Sequence, residues 1–460
     1  MTKTQYITRH KDRFLQELKD FLCIPSISTT QQYTKPIHQA AVFIREKLLA
    51  AGASQAYLID TQGNPLVYGE KIVAPHLPTV LVYGHYDVQP PGEESLWNTP
   101  PFEPTIKNGR IYARGASDDK SQVYLHIKAL EVLLATNNLP CNLKFLIEGE
   151  EECGSKGLNH LLDDPRLLST LQSDILLVSD TTLFSAEQPS LTISLRGIVC
   201  LEIELTGPNR DLHSGVYGGS VANPINILCQ VLSVLHDKNY RIAIPGFYDA
   251  VHPLSQQEQD ALVSLPFSLD QYKAYLGLRE VLGEQGYHTL ERVGSRPSLD
   301  INGIWGGYTQ EGSKTVLPSK AYAKLSLRLV PGQEAADITE KCIDYIKTLI
   351  PEGVHISIHH HHEGSNAVSL SPHSIAMQAA QKAFDIVWHK TPLLTRSGGS
   401  IPIIATLQAK LHCDVVLMGF GLDSDAIHAA NEHFQLRNFF KGITTVTTFY
   451  EQLAGLYCVS

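Results

Sequence analysis

Apolar side chains at Phe14, Leu18, Phe21 and Leu22 fall on one face of a helix, and Pro25, which lacks a backbone donor, ends it. A second helical pattern covers 38–51 and stops near Gly52. Short apolar runs then alternate with helical ones. Residues 79–83 predict a buried strand, 121–134 a helix, and 142–147 and 174–178 two further strands. Fully apolar strands linked through helices predict a mainly parallel sheet flanked by helices. The pattern changes near Gly197. Residues 198–205 and 322–329 alternate apolar and polar, as half-exposed strands do, and 355–359 is strand-like. Helices are expected over 222–236, behind Pro224, and over 338–349. These elements predict a separate α+β layer domain. Helical spacing returns at 374–387, and 415–418 reads as one more buried strand of the first sheet. The second domain is therefore expected as an insertion over 198–366, with the first domain built from 1–197 and 367–460. Residues 245–296 are polar, show no clear period, and read as an elaboration of the insertion.

At 460 residues the chain exceeds one ordinary core, in keeping with two domains. A hydrophobic fraction of 43% with 18% charged residues suits a folded chain, and the net charge of −10 argues against a nucleic-acid partner. No apolar run approaches a membrane span, and the first residues show no apolar segment of a secretory signal, so a cytoplasmic location without membrane attachment is expected. Eight cysteines lack any Cys-x-x-Cys pair, which favours free thiols in a reducing compartment. No Gly-x-Ser-x-Gly elbow marks a serine hydrolase.

Composition changes the picture less than five short segments do. His85 and Asp87 follow the 79–83 strand, where Asp87 could orient the imidazole. Asp118, Asp119 and Lys120 precede a helix, so either acid could be a helix cap instead of a ligand. Glu148, Glu150, Glu151 and Glu152 follow a strand and could be a solvated acidic loop. Asp180 ends another strand, and Ile427-His428 comes late in the chain. Taken together, carboxylates this dense beside apolar strands would repel one another unless cations neutralised them. Imidazole with carboxylate is a ligand set for zinc or a similar ion. The run His359–His362 is different, because consecutive strand side chains point to opposite faces; it reads as a solvated strand end. Cys153 reads as a small packing residue.

As an ordered set the motifs His85-Tyr86-Asp87-Val88-Gln89-Pro90, Asp118-Asp119-Lys120 and Glu151-Glu152-Cys153-Gly154-Ser155 resemble the di-zinc exopeptidase family of carnosinases, carboxypeptidase G and aminoacylases. The resemblance runs from about residue 22 to 433 and is nearest to the dipeptidase branch. It implies two divalent metal ions per subunit, zinc before manganese or cobalt. Asp118 would bridge them, with His85 and Asp180 on one ion and Glu152 and His428 on the other. It also implies that Glu151 is the general base for a water held between the ions, that Asp87 is the partner of His85, and that a cis peptide follows Asp118. The segment Asp211 to Gly219 resembles the dipeptidase branch, where the histidine, here His213, stabilises the oxyanion across a dimer interface. Arg328 matches the arginine that grips a substrate carboxylate, and Thr315 and Ser400 match substrate-contacting positions. A helix-capping role for His213 and a surface ion pair for Arg328 stay open as alternatives. The expected molecule is an α/β metallopeptidase: a catalytic domain with a mainly parallel sheet plus an inserted α+β lid and dimerisation domain. It is expected to act as a homodimer on small peptides with a free C-terminal carboxylate. An N-acyl-amino-acid deacylase or carboxypeptidase on the same scaffold is the alternative.

Overall fold

The apolar run after Pro78 becomes the strand Thr79–His85, buried along nearly its whole length, in a computed structural model that describes residues 1–360 and 364–457. It sits in the larger of two compact units, which comprises Met1–Ile193, Leu370–Thr395 and Thr406–Ser460. Four strands, Asn142–Glu148, Thr79–His85, Ile175–Val178 and Asp414–Leu417, lie side by side in that order and run parallel. Being flanked on both sides, they carry apolar runs at their centres (80–83, 145–147, 175–178 and 415–417), and those runs are what the sequence shows. The outer strands Gln55–Ile59 and Leu66–Lys71 extend the sheet antiparallel at one side, and Ser190–Leu195 joins antiparallel at the other. The helix Lys120–Ala135 packs on Thr79–His85 and against the helices Lys3–Leu22 and Leu436–Tyr457. It is buried from Lys120 to Leu133, so its Lys120 ammonium donates to the carbonyls of Phe21 (3.2 Å) and Ile24 (2.6 Å).

Parallel packing puts the carboxyl ends of the central strands at one edge of the sheet, where function gathers in such folds. His85 ends one strand, Glu151 and Glu152 follow a second, and Asp180 follows a third. The second helix, Thr34–Ala50, starts earlier than expected, because the 3₁₀ turn Gln31–Tyr33 leads straight into it. Two short helices, Lys156–Leu161 and Pro165–Leu171, occupy a stretch with no helical expectation. The second has a readable start signal, since the Asp164 carboxylate caps the Arg166 N–H and Pro165 stands at the first turn.

The other unit comprises Ser194–Ser369 and Arg396–Ala405. It differs from the expected 198–366 mainly by taking in the segment that carries Ser400. Its antiparallel sheet runs Ser298–Gly306, Lys320–Leu329, Gly197–Thr206, His355–His360. Val199, Leu201, Ile203 and Leu205 alternate into a core shared with Leu228, Leu232, Ile338 and Ile346 of the helices Pro224–Ser233 and Ala335–Thr348. Strand Ser298–Gly306 escapes a pattern reading because a bulge between Ile301 and Gly303 breaks its alternation. The polar stretch after Pro245 holds three short helices, Gln256–Val263, Leu269–Leu276 and Thr289–Gly294. His359 and His360 are exposed at the end of their strand; His361 and His362 lie outside the described residues. Among the described residues no helix is long and apolar enough to cross a membrane.

Candidate metal centre

His85 is fully buried, and its two ring nitrogens face different partners. Nδ1 is 3.0 Å from the Asp87 carbonyl oxygen and 3.4 Å from its carboxylate, and Nε2 is 3.0 Å from Asp118 Oδ1 and 4.0 Å from Asp180 Oδ2. Donation from Nδ1 to Asp87 leaves the Nε2 lone pair aimed at the two carboxylates. Close approach here requires Gly84, since a Cβ at that position would lie 2.7 Å from Asp119 Oδ2 and 2.6 Å from Val123 Cγ2. Asp87 does more than orient the ring. Its carboxylate also accepts the N–H groups of Glu151 (3.3 Å) and Glu152 (3.1 Å), tying the acidic turn to the histidine strand.

On the other side of Asp118, His428 Nε2 is 2.9 Å from Oδ2 and 3.2 Å from Glu152 Oε1. Glu152 Oε2 accepts from the Gln89 amide at 2.8 Å, whereas Oε1 is buried and receives no hydrogen bond. His428 is half-exposed and takes a left-handed backbone, φ 59°, within a loop where Ala426 and Asn431 do the same. Two donor groups result, His85–Asp118–Asp180 and Asp118–Glu152–His428, each with ligand atoms within 4.8 Å of one another and sharing Asp118. Asp119 stands at the N-cap position of its helix yet makes no capping bond with its side chain, so the capping alternative fails for it. The Asp118–Asp119 peptide is cis.

The electrostatics call for cations. Burial pushes the carboxyls of Glu151 and Asp119 well above the ordinary range, with Asp180 adding to both and His85 opposing. Burial and the Asp118 charge lift Asp180 to about 7. Asp118 moves down despite its burial, because His428 and His85 both contact it. Asp118 and Glu152 raise His428 to about 10, and Asp118 and Asp87 raise His85 although burial opposes its charge. Protons are thus shared among groups whose lone pairs all converge. One imidazole and two carboxylates per group, with a buried Glu152 oxygen lacking a donor, fit two divalent ions.

Several residues that build the centre were not singled out from sequence. Glu432 is fully buried and accepts from Arg114 Nη1 (2.7 Å) and from the N–H groups of Gly115 (2.9 Å), Ser117 (2.8 Å) and Asp118 (3.1 Å), so it shapes the loop that presents Asp118. Asp425 accepts from Ser117 Oγ at 3.0 Å and the Leu422 N–H at 2.9 Å, joining that loop to the one bearing His428. Glu148, named in the sequence only as part of an acidic loop, is instead buried under that turn, held by Tyr83 (2.7 Å) and Ser155 (3.0 Å), and burial pushes it up to about 8. Lone acids have no sequence signature; an acidic residue close to His428 was the only cue. Cys153, expected to pack, is exposed, and burial of its thiol group still pushes it up to about 11.

The remaining candidates lie in the second unit. His213 precedes the short helix Ser214–Tyr217 and its Nδ1 accepts the Gly215 N–H at 3.0 Å. The capping alternative therefore holds, and it leaves Nε2–H of the neutral ring, exposed, as a donor. Thr315 is exposed beside it, its carbonyl accepting the Ser214 N–H at 3.0 Å. Arg328 and Ser400 are brought together, with Arg328 Nη1 donating to Ser400 Oγ at 2.8 Å. Arg328 makes no ion pair among the described residues, so the surface ion-pair alternative fails.

The profile of peptidase family M20/M25/M40 matches residues 81–452. A Cys-Gly metallodipeptidase of Schizosaccharomyces pombe is 32% identical over 466 residues, covering 98% of both chains. A Beta-Ala-His dipeptidase of Homo sapiens is 29% identical over 477 residues, 98% of this chain and 92% of the relative. Among solved structures, an M20 family metallo-carboxypeptidase of Sulfolobus solfataricus superposes with a TM-score of 0.87 at 32% identity, covering 96% of this chain and 99% of the other.

Proposed function

Since this chain belongs to the M20/M25/M40 peptidase family and is a metallopeptidase, we propose that it is a dipeptidase cleaving small peptides that end in a free carboxylate. The observation that carries this reading is the pair of donor groups sharing Asp118, with the buried Glu151 carboxyl next to Glu152 in the same turn. His85, Asp118 and Asp180 would hold one divalent ion, and Asp118, Glu152 and His428 the second, zinc being the ion that best suits such donors. When bound, the ions supply Lewis acidity that lowers the pKa of water and polarises a carbonyl.

The chain's own residues do the rest. Asp87 fixes the His85 ring through its carbonyl and the backbone of Glu151 through its carboxylate, so the base and a ligand are set by one residue. Glu151 takes the proton of the attacking water and delivers it to the leaving amine. Its carboxyl is buried next to Glu152, and burial pushes it up, favouring the protonated form. His213 offers Nε2–H to the developing oxyanion, its other nitrogen being occupied by Gly215. Arg328, steadied by Ser400, binds the terminal carboxylate, for which a guanidinium fork is the matching shape, and Thr315 contacts substrate. The names of the curated relatives, Cys-Gly metallodipeptidase and Beta-Ala-His dipeptidase, support a dipeptide substrate.

A homodimer assembled through the inserted domain is part of the same reading. Its support is the outer strand Ser298–Gly306, an unpaired sheet edge exposing Ile301 (46%), Ile304 (52%) and Trp305 (41%). Free thiols at Cys23, Cys153 and Cys229, all exposed, suit the cytoplasm. The metallo-carboxypeptidase neighbour keeps a second reading, removal of the last residue from longer peptides. Assaying metal-loaded protein on matched dipeptides, hexapeptides and N-acetyl amino acids decides. Turnover of dipeptides far above both other sets is expected; dominant hydrolysis of hexapeptides would establish the carboxypeptidase, and of acetylated substrates a deacylase.

A further inference from the structure

Arg196 directly follows the strand Ser190–Leu195, and its contacts fall on the 398–400 loop and on the segment 292–298. Its N–H donates to the Gly399 carbonyl at 3.1 Å, its Nε to the Gly398 carbonyl at 3.0 Å, and its own carbonyl accepts the Ser400 hydroxyl. Its Nη1 reaches the carbonyls of Arg296 (3.3 Å) and Arg292 (3.5 Å) and Ser298 Oγ (3.5 Å). The loop has no slack around it: a Cβ at Gly398 would lie 3.1 Å from Arg196 Nη2 and 2.7 Å from Val293 Cγ1. Ser400, held by Arg196, is the group that receives Arg328 Nη1.

The charges are unusual as well as the contacts. Neither Arg196 nor Arg328 makes an ion pair among the described residues, and Asp300 is the acid whose charge reaches both from beyond ion-pair distance. Burial and the neighbouring Arg328 bring the Arg196 guanidinium down to about 10, and burial also lowers Arg328. Two half-buried like charges that oppose one another favour an anion beside them.

We propose that Arg196 is a positioning residue of the carboxylate clamp: it locks residues 398–400 so that Ser400 fixes the Arg328 fork, and it supplies the second positive charge of a site with no ion-paired acid among the described residues. The inference rests on the reading of Arg328 as the group that binds the substrate carboxylate. Arg196 satisfies backbone carbonyls and need not touch substrate. It acts by keeping Arg328 from sampling other rotamers and by making carboxylate binding relieve a repulsion. Lysine would keep the charge but could not span the same carbonyls, so charge and lock separate by substitution.

The test compares a free dipeptide with its C-terminal amide, on the metal-loaded wild type and on Arg196→Met and Arg196→Lys. Expected for Arg196→Met is a rise of about tenfold or more in KM for the free dipeptide, kcat within about threefold, and little change for the amide. Arg196→Lys should recover part of the KM and none of the loop rigidity, read as faster proteolytic nicking near Ser400. If Arg196→Met does not fold, Arg196→Lys alone carries the test, through the ratio of kcat/KM for acid over amide. A wild type that favours the dipeptide with variants that keep the full preference would overturn the role of Arg196 alone. A wild type indifferent to amidation would overturn the clamp itself and this inference with it. Equal losses on both substrates would reduce Arg196 to a purely structural residue.

Discussion

Replacing Glu432 by glutamine probes how the Asp118 loop is held, because the exchange keeps shape and removes only charge. The carboxylate accepts from Arg114 and from three consecutive-loop N–H groups at Gly115, Ser117 and Asp118, all in a fully buried setting. Burial pushes this carboxyl up, while Arg114 and the N–H groups of Gly115 and Ser117 pull it back, so the guanidinium is the charge that most opposes its protonation. Glutamine turns its NH₂ toward at least one of those donors and leaves the Arg114 charge buried beside Trp97 without a counter-ion. Breaking a buried pair in this way costs about 3–5 kcal/mol, of which each charge-assisted hydrogen bond represents roughly 1.5–3 kcal/mol. For a domain of this order of size, that lowers Tm by about 10 °C. Because Asp118 is shared by both donor groups, metal affinity should fall as well, by about 10- to 100-fold as for other outer-sphere partners of ligands. Circular dichroism with saturating metal reads the first effect, and competition against a chromophoric chelator reads the second. A variant with wild-type Tm and metal affinity within about twofold would refute the claim that Glu432 sets the loop.

The other expectations are simpler. Glu151→Gln should retain both ions yet lose about 10²-fold or more of kcat, as removal of a general base does; wild-type turnover would exclude Glu151 from that role. Metal uptake should release protons, since His428, raised to about 10, and His85 must lose theirs to become ligands. Calorimetry in two buffers of different ionisation heat, giving the same apparent heat, would contradict this, and affinity should weaken as pH falls. Away from the centre, Lys128 (2.6 Å), Tyr124 (2.8 Å) and Lys47 (3.4 Å) surround Glu17; burial raises its pKa, but these contacts win and bring it to about 2. A depressed carboxyl contributes stability that is complete above its unfolded value near 4.5 and lost as pH falls toward 2, at most about 3 kcal/mol. The stability gap between wild type and Glu17→Gln, from urea unfolding, should narrow over that window; a gap independent of pH would disprove it. Finally, Ile304→Glu on the exposed sheet edge should yield monomers by sedimentation velocity, and an unaltered dimer would put the interface elsewhere.

The period and placement of apolar runs were enough to read the parallel strands, because a strand covered on both sides keeps an apolar run at its centre. The same logic put His85, Glu151, Glu152 and Asp180 beyond strand ends, and the acids were recognisable as a group because such a density of charge needs neutralising. That reading could not say which atoms meet. His428 joins Asp118 and Glu152 only because three left-handed residues turn its loop, and φ at non-glycine positions is not written in residue type. Strand Ser298–Gly306 was hidden because its bulge breaks the period on which recognition depends. Glu432 and Arg196 were invisible as single charged residues, since their roles rest on hydrogen bonds to backbone groups far along the chain, such as Gly115 for Glu432 and Gly398 and Gly399 for Arg196. Local pattern determined the elements and the chemistry they carry, because both follow from neighbours in the chain. Asp87 beside His85 was legible because it lies two residues away, but the distant supports, Glu432 under Asp118 and Arg196 behind Ser400, were decided by tertiary structure alone, because the backbone donors and acceptors involved are the same for every residue and differ only in where the fold puts them.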